Sequence, residues 1–242
     1  MIHKDNFKNN YFYLSYKLDG DIEFKNLNYK VGSKYLFKDL NLSIKKGEKI
    51  LLSGESGSGK STLLKMLIRY IDVDFNHIKI SNIDINHYHL ENIRSNITYV
   101  TNNEYLFNDT LRNNVLLYKE INEEKFQNIC NICLVDDIIK NSVTGYDTMI
   151  EENGFNFSNG ERQRIILARS ILRNSSIYIF DEALSGIDIN KEKKVLENIF
   201  SYLKDKTVIV ISHRFDNSDL YDKTLNLEEY EYRNVPKKFS NT

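Results

Sequence analysis

The chain is 242 residues long, enough for one large α/β domain with a small insert to bury a sizeable core. Its 33 Lys and Arg against 34 Asp and Glu leave a formal net charge of −1, a balance with no general drive towards nucleic acid or acidic lipid. No apolar run approaches the about 20 residues of a membrane span, and the start, MIHKDNFKNN, does not read as a signal peptide, so the chain alone is expected to be soluble.

Residues 1–20 mix polar and aromatic side chains without a clear period and read as a lead-in or linker. DIEFKNLNY (21–29) and LFKDLNLSIKKGEKILLSG (36–54) then alternate or run apolar at strand length, broken at Gly32 and at Lys45 to Gly47. Helical spacing begins in KSTLLKMLIRY (60–70), while HIKISNIDI (77–85) and NITYV (96–100) read as further strands. A mixed helical stretch from Thr110 to about Ile139 carries Cys130 and Cys133. With no other cysteine in the chain, this C-x-x-C reads as two small apolar residues one helical turn apart, in a chain of a reducing compartment. SNGERQRIILARSILRN (158–174) is a strong helix, with Ser158 as cap and Glu161 completing a capping box. The strand IYIF (177–180), a helix over 190–203, the strand TVIVIS (207–212) and a tail (229–242) follow. Such alternation predicts a largely parallel sheet with helices on both faces.

Gly54 to Ser61 fits G-x-x-x-x-G-K-[ST] between an apolar strand and a helix, the setting that pattern requires. Along Gly54, Glu55, Ser56, Gly57, Ser58 and Gly59, consecutive N–H groups can turn inward as an anion nest, and the new helix adds its positive end. Lys60 is expected to reach the β- and γ-phosphates of a nucleoside triphosphate, Ser61 to ligate Mg²⁺ and Thr62 to bond the α-phosphate. In IYIFDE (177–182) the strand is apolar enough to be buried, so the Asp at its end faces a crevice or a cation. Asp181 is expected to hold Mg²⁺ through its water shell, and Glu182 to polarise an attacking water.

With FSNGERQR (157–164) beside these two motifs, residues from about Asp21 to Asn226 resemble the nucleotide-binding domain of ABC transporters. FSNGE stands at that family's signature loop, which implies ATP contacts at Ser158 and Gly160. EALSGID (182–188) resembles its D-loop at Ser185 and Asp188, and VISHR (210–214) its switch segment, with His213 as γ-phosphate sensor. YVTNNEYLFNDTLRNNV (99–115) resembles the exporters' Q-loop. YDTMIEENGFNFSNGERQR (146–164) resembles the turn before their signature, matching at Thr148, Glu152 and Gly154, with Glu151 in place of a glycine. In wording the chain is nearest to bacterial peptide or bacteriocin exporter cassettes.

Two positions depart from the family pattern. Asn102 stands where a glutamine reaches metal and attacking water. The aromatic that stacks on adenine falls on Val31, so Tyr29 is expected to stack instead, or Tyr35 by a shifted loop.

The resemblance implies a P-loop NTPase core with a mainly parallel sheet, an antiparallel β lead-in and an inserted helical subdomain over about 103–173, within a domain spanning 21–228. It implies an ATP-binding and ATP-hydrolysing exporter domain that works as a pair, two identical chains closing MgATP between the phosphate loop of one and the signature of the other. Further expected partners are exporter transmembrane domains, in the same or a separate chain, which would place the domain at the cytoplasmic face of the cell membrane. No nucleic-acid partner is expected. A non-transport cassette ATPase of DNA repair or translation, and an ATP-binding module with weak hydrolysis, remain as alternatives.

Overall fold

The structure is a computed structural model that describes residues 18–228 other than 141 and 215. Most of the expected lead-in (1–17) and the whole tail (229–242) lie outside the described residues. Leu18, assigned by sequence to the lead-in, is fully buried in the core.

Strands β1 (Ile22–Val31) and β2 (Lys34–Ile44) form an antiparallel hairpin that turns at Gly32, φ +62°. Its register shifts between Phe24 and Leu27, Leu27 and Tyr29, and Tyr29 and Lys30. At the irregular positions Asn and Asp side chains replace ladder bonds: the Asn26 N–H donates to Asn41 Oδ1 (3.0 Å) and the Asp39 N–H to Asn28 Oδ1 (3.1 Å). The sequence break at Lys45 to Gly47 separates β2 from β3 (Lys49–Ser53), which leads through the glycine-rich loop into α1 (Lys60–Leu67).

Beyond α1, β4 (Ile78–Ile80) and β5 (Ile83–Asp84) extend the hairpin into a four-stranded sheet of order β2-β1-β4-β5. A short α2 (Leu90–Asn96) enters β6 (Ile97–Thr101), followed by β7 (Asp109–Thr110). The helical stretch expected from Thr110 to about Ile139 is made of three helices: α3 (Leu111–Leu116), α4 (Glu123–Ile132) and α5 (Asp136–Ile139). Leu117, Tyr118 and Leu134 adopt positive φ at the ends of α3 and α4, while Thr110 and Asn122 start those two helices as N-caps, accepting from the N–H of Asn113 and of Lys125. Both thiols lie buried at the end of α4, and burial, with Asp136 adding, pushes Cys130 up to about 12. They are packing residues.

β8 (Met149–Ile150) pairs antiparallel with β7. The chain then runs through α6 (Asn159–Ile171), β9 (Ile177–Asp181), α7 (Ile189–Tyr202), β10 (Thr207–Ile211) and β11 (Lys223–Asn226). β11-β3-β10-β9-β6 is a parallel sheet, as the alternation predicts. Period-two alternation builds two cores from its strands. Ile177, Ile179, Ile209, Ile211, Ile50 and Leu52 face one side, with Leu63, Leu64 and Leu67 of α1. Tyr178, Phe180, Val208 and Val210 face the other, with α3, α4, α6 and α7. The helical insert therefore shares its hydrophobic cluster with the sheet.

Candidate active site

The loops after β3, β6, β9 and β10 all open at the carboxyl edge of the parallel sheet, where a ligand can meet several strand ends at once. The glycine loop turns there through Gly54 (φ +141°), Gly57 (φ +85°) and Gly59 (φ +92°), the last as N-cap of α1. A Cβ on Gly59 would come within 2.7 Å of the Phe37 ring, so the glycine also lets the β1–β2 hairpin lie against the loop.

Three adjoining cavities form one groove along this edge. The first, about 470 Å³, runs between Val31, Tyr35 and Leu36 of the hairpin and Glu55 to Ser58 of the loop. The second, about 430 Å³, brings Gly59, Lys60, Ser61 and Thr62 together with Glu182 and His213. In the third, about 250 Å³, Ser61 meets Asn102, Asp181 and Glu182.

Lys60 is 6% exposed, and its ammonium donates to the carbonyls of Gly54 (2.7 Å) and Glu55 (2.8 Å). Burial lowers its pKa, against the opposing fields of Glu182, Asp181 and Glu228. Asp181 shares strand parity with Ile177 and Ile179, which puts its carboxylate on the α1 side, towards Ser61. Glu182 follows at φ +55°, its N–H held by the Ile211 carbonyl (3.1 Å), and its carboxylate lies 3.2 Å from His213 Nε2. The positive φ turns Glu182 off the strand and into the groove beside Lys60.

Ser61, Asp181 and Asn102 offer a hydroxyl, a carboxylate and an amide to one cavity, a hard-oxygen set. Among the described residues no group of three or more His, Cys, Asp and Glu could hold a metal. Mg²⁺ fits a site of this kind, because it uses one or two carboxylates and takes its remaining ligands from phosphates and water. It would neutralise phosphate charge there, with Ser61 and Asp181 holding it and Asn102 beside them.

The remaining expected residues do not all converge on the groove. Tyr29 packs partly buried against the core, whereas Tyr35, 47% exposed, lines the first cavity with Lys30 Nζ 4.3 Å above its ring. Val31 lines both larger cavities and is 61% exposed. Ser158 and Gly160 line none of the three cavities. They start α6, where the Ser158 hydroxyl accepts from the Glu161 N–H (3.3 Å) and the Glu161 carboxylate accepts from the Ser158 N–H (2.8 Å), closing the expected capping box.

Sequence reasoning missed two site residues. The Tyr99 hydroxyl donates to Asp181 Oδ2 (2.5 Å), and Glu228 accepts from the Glu55 N–H (2.5 Å) at the rim of the first cavity. Tyr99 could have been found by parity: it shares a strand face with Thr101, the register partner of Asp181. Nothing local in the sequence marks Glu228.

A family profile described as ABC transporter matches residues 37–185. A probable ABC transporter ATP-binding/permease protein of Haemophilus influenzae is 34% identical over 208 residues, which are 86% of this chain and 38% of that protein. An ATP-dependent lipid A-core flippase of Salmonella typhimurium is 35% identical over 214 residues, 87% of this chain and 37% of the flippase. Among solved structures, a bacterial Atm1-family ABC exporter with ATP bound superimposes with a TM-score of 0.81 at 27% identity, covering 90% of this chain and 38% of that one. The chain belongs to the ABC transporter family and corresponds to the ATP-binding domain of its exporters. It spans under two fifths of the length of these relatives. Their names support export without pointing to peptides as cargo.

Proposed function

We propose that this domain binds and hydrolyses MgATP as one half of a pair and so drives a transmembrane exporter at the cytoplasmic face of a membrane. One observation carries the reading: a glycine nest and a buried lysine share a groove with Ser61, Asn102, Asp181, Glu182 and His213, drawn from the ends of four neighbouring strands. The nest and Lys60 take the triphosphate. Ser61, Asp181 and Asn102 stand where Mg²⁺ belongs, Glu182 polarises the attacking water, and His213 bonds the terminal phosphate.

Tyr35 supplies the face for adenine, since it stands at the groove's hairpin end and Tyr29 does not. Because Ser158 and Gly160 lie outside the groove, they serve the nucleotide of a second domain, most simply an identical copy. The membrane partner docks on exposed apolar residues after Asn102 and before the signature: Phe107, Tyr118, Met149 and Phe155. The β7–β8 pairing and the contact of Leu106 with the Gly154 position support their gathering on one surface. The relatives' named activities, lipid A-core flipping among them, support export as the work done and leave the cargo to the membrane segments.

Lys60→Ala tests the nucleotide assignment. Fluorescent-ATP titration should show binding weakened by about two orders of magnitude, because the buried phosphates lose their main compensating charge. Equal affinity in variant and parent would sink the reading.

A further inference from the structure

The segment Ser185 to Asp188 leaves the groove and runs to the protein surface, with Ser185 and Asp188 exposed and Ile187 buried. Two side chains from different elements grip its backbone. From α6, the buried Gln163 accepts the Gly186 N–H on Oε1 (2.8 Å) and directs Nε2 at the Ser185 hydroxyl (3.4 Å). From the segment after β10, the Arg214 guanidinium donates to the carbonyls of Ser185 (2.6 Å) and Ile187 (2.7 Å). Its NH1 also donates to Glu192 Oε2 (2.7 Å), a carboxylate 4% exposed in the first turn of α7. Gly186 is seated directly on the start of α6, where a Cβ would fall 2.3 Å from Asn159 Nδ2.

Holding an exposed loop down by packing does not require a forked cation. A guanidinium can bond three acceptors on two elements at once, which a lysine ammonium on a flexible stem does not reproduce. Arg214 also adjoins His213, whose ring lies 3.2 Å from Glu182. Consecutive residues thus touch the water-polarising carboxylate and the backbone of the exposed segment.

We propose that Arg214 is a positioning residue: with Glu192 as its counter-ion and Gln163 opposite, it locks the Ser185–Asp188 backbone to the His213 segment, so that a shift of His213 on a terminal phosphate moves the surface on which a second copy closes. This rests on the ATPase reading above. Nucleotide binding to a single chain does not use the clamp. Pairing and hydrolysis do.

Removing one partner of a buried ion pair is strongly destabilising, whereas replacing both with apolar residues is often neutral. The test therefore compares the joint variant Glu192→Leu with Arg214→Met, and Arg214→Lys alone, against the parent. In both variants Tm and the Kd for MgATP should stay close to the parent's. Steady-state kcat should fall about tenfold or more, the size of an ordinary coupling between sites. Hydrogen exchange at Gly186 and Ile187 should quicken about tenfold in the nucleotide-free protein, as the loop loses its anchors. Arg214→Lys, which keeps the charge beside Glu192, should not restore kcat. Parent-like kcat and exchange in either folded variant would overturn the proposal and leave the ATPase reading standing. A parent that neither binds nor hydrolyses MgATP would overturn the ATPase reading itself.

Discussion

Glu182 holds φ at +55°, a backbone region that costs a glutamate energy and persists only where its surroundings enforce it. The enforcing contact is the bond from its N–H to Ile211, and the result is a carboxylate facing Lys60 and His213 where a straight strand would have buried it. Two neighbours in the groove invite substitution. Removing a stacked ring costs about 1 kcal/mol, roughly fivefold in affinity. Tyr35→Ala should therefore weaken ATP binding by about that factor in isothermal titration, while Tyr29→Ala should leave affinity unchanged. The reverse pattern would return adenine to Tyr29. Asn102 keeps the amide of a glutamine but is one methylene shorter, so a metal held at Ser61 and Asp181 would be reached through a bridging water. Asn102→Gln should raise kcat with little change in Kd, because looser positioning of the nucleophile costs rate more than affinity. An unchanged or lower kcat would mean that the loop has already adapted.

These residues were unequally legible. Lys60, Ser61 and Asp181 could be placed from sequence because each is tied to the end of a regular element, a helix start or the last position of a strand of fixed parity. Tyr29 could not. A register shift between Tyr29 and Lys30 breaks the hairpin's alternation, leaving Tyr29 against the core and Val31 exposed, and one strand read alone carries no sign of it.

Among the elements, α6 shows what a cap contributes. Burial raises the Glu161 carboxyl, but the Ser158 hydroxyl and N–H, helped by Arg164 and Lys191, outweigh burial and hold it below the usual carboxylate range. A depressed carboxyl adds stability that is complete above the unfolded pKa and is lost as pH falls through the folded one. Ser158→Ala should cost about 1 kcal/mol at neutral pH, read as a lower urea midpoint. The gap to the parent should narrow once the pH drops below the ordinary carboxylate range. A gap that stays constant into acid would show that the hydroxyl acts alone, without the carboxylate. The capping box was readable because Ser, Glu and the apolar face follow one another at fixed spacing. The breaks between α3, α4 and α5 were not, since Leu117, Tyr118 and Leu134 are poor candidates for positive φ by residue type and only their tertiary setting holds them there. The two-residue strands β7 and β8 escape any periodicity for want of length.

At the scale of the molecule, the parallel sheet followed from strand and helix alternation, and its two cores from strands apolar on both faces. How the helical insert sits was hidden, because its cluster is completed by residues of β9 and β10 distant in sequence. The largest consequence of the whole arrangement is that the groove and the α6 start at Ser158 lie apart on one chain, which is why the proposed function calls for a second domain to complete the nucleotide site. Glu182→Gln tests this directly, by light scattering of the variant with MgATP and with MgADP at high protein concentration. If the Glu182 carboxylate polarises the attacking water, its loss should let ATP persist and hold the chains together. A doubled mass is expected with MgATP, with two ATP retained per pair, and a single-chain mass with MgADP. A single-chain mass under both conditions, together with undiminished hydrolysis, would contradict it.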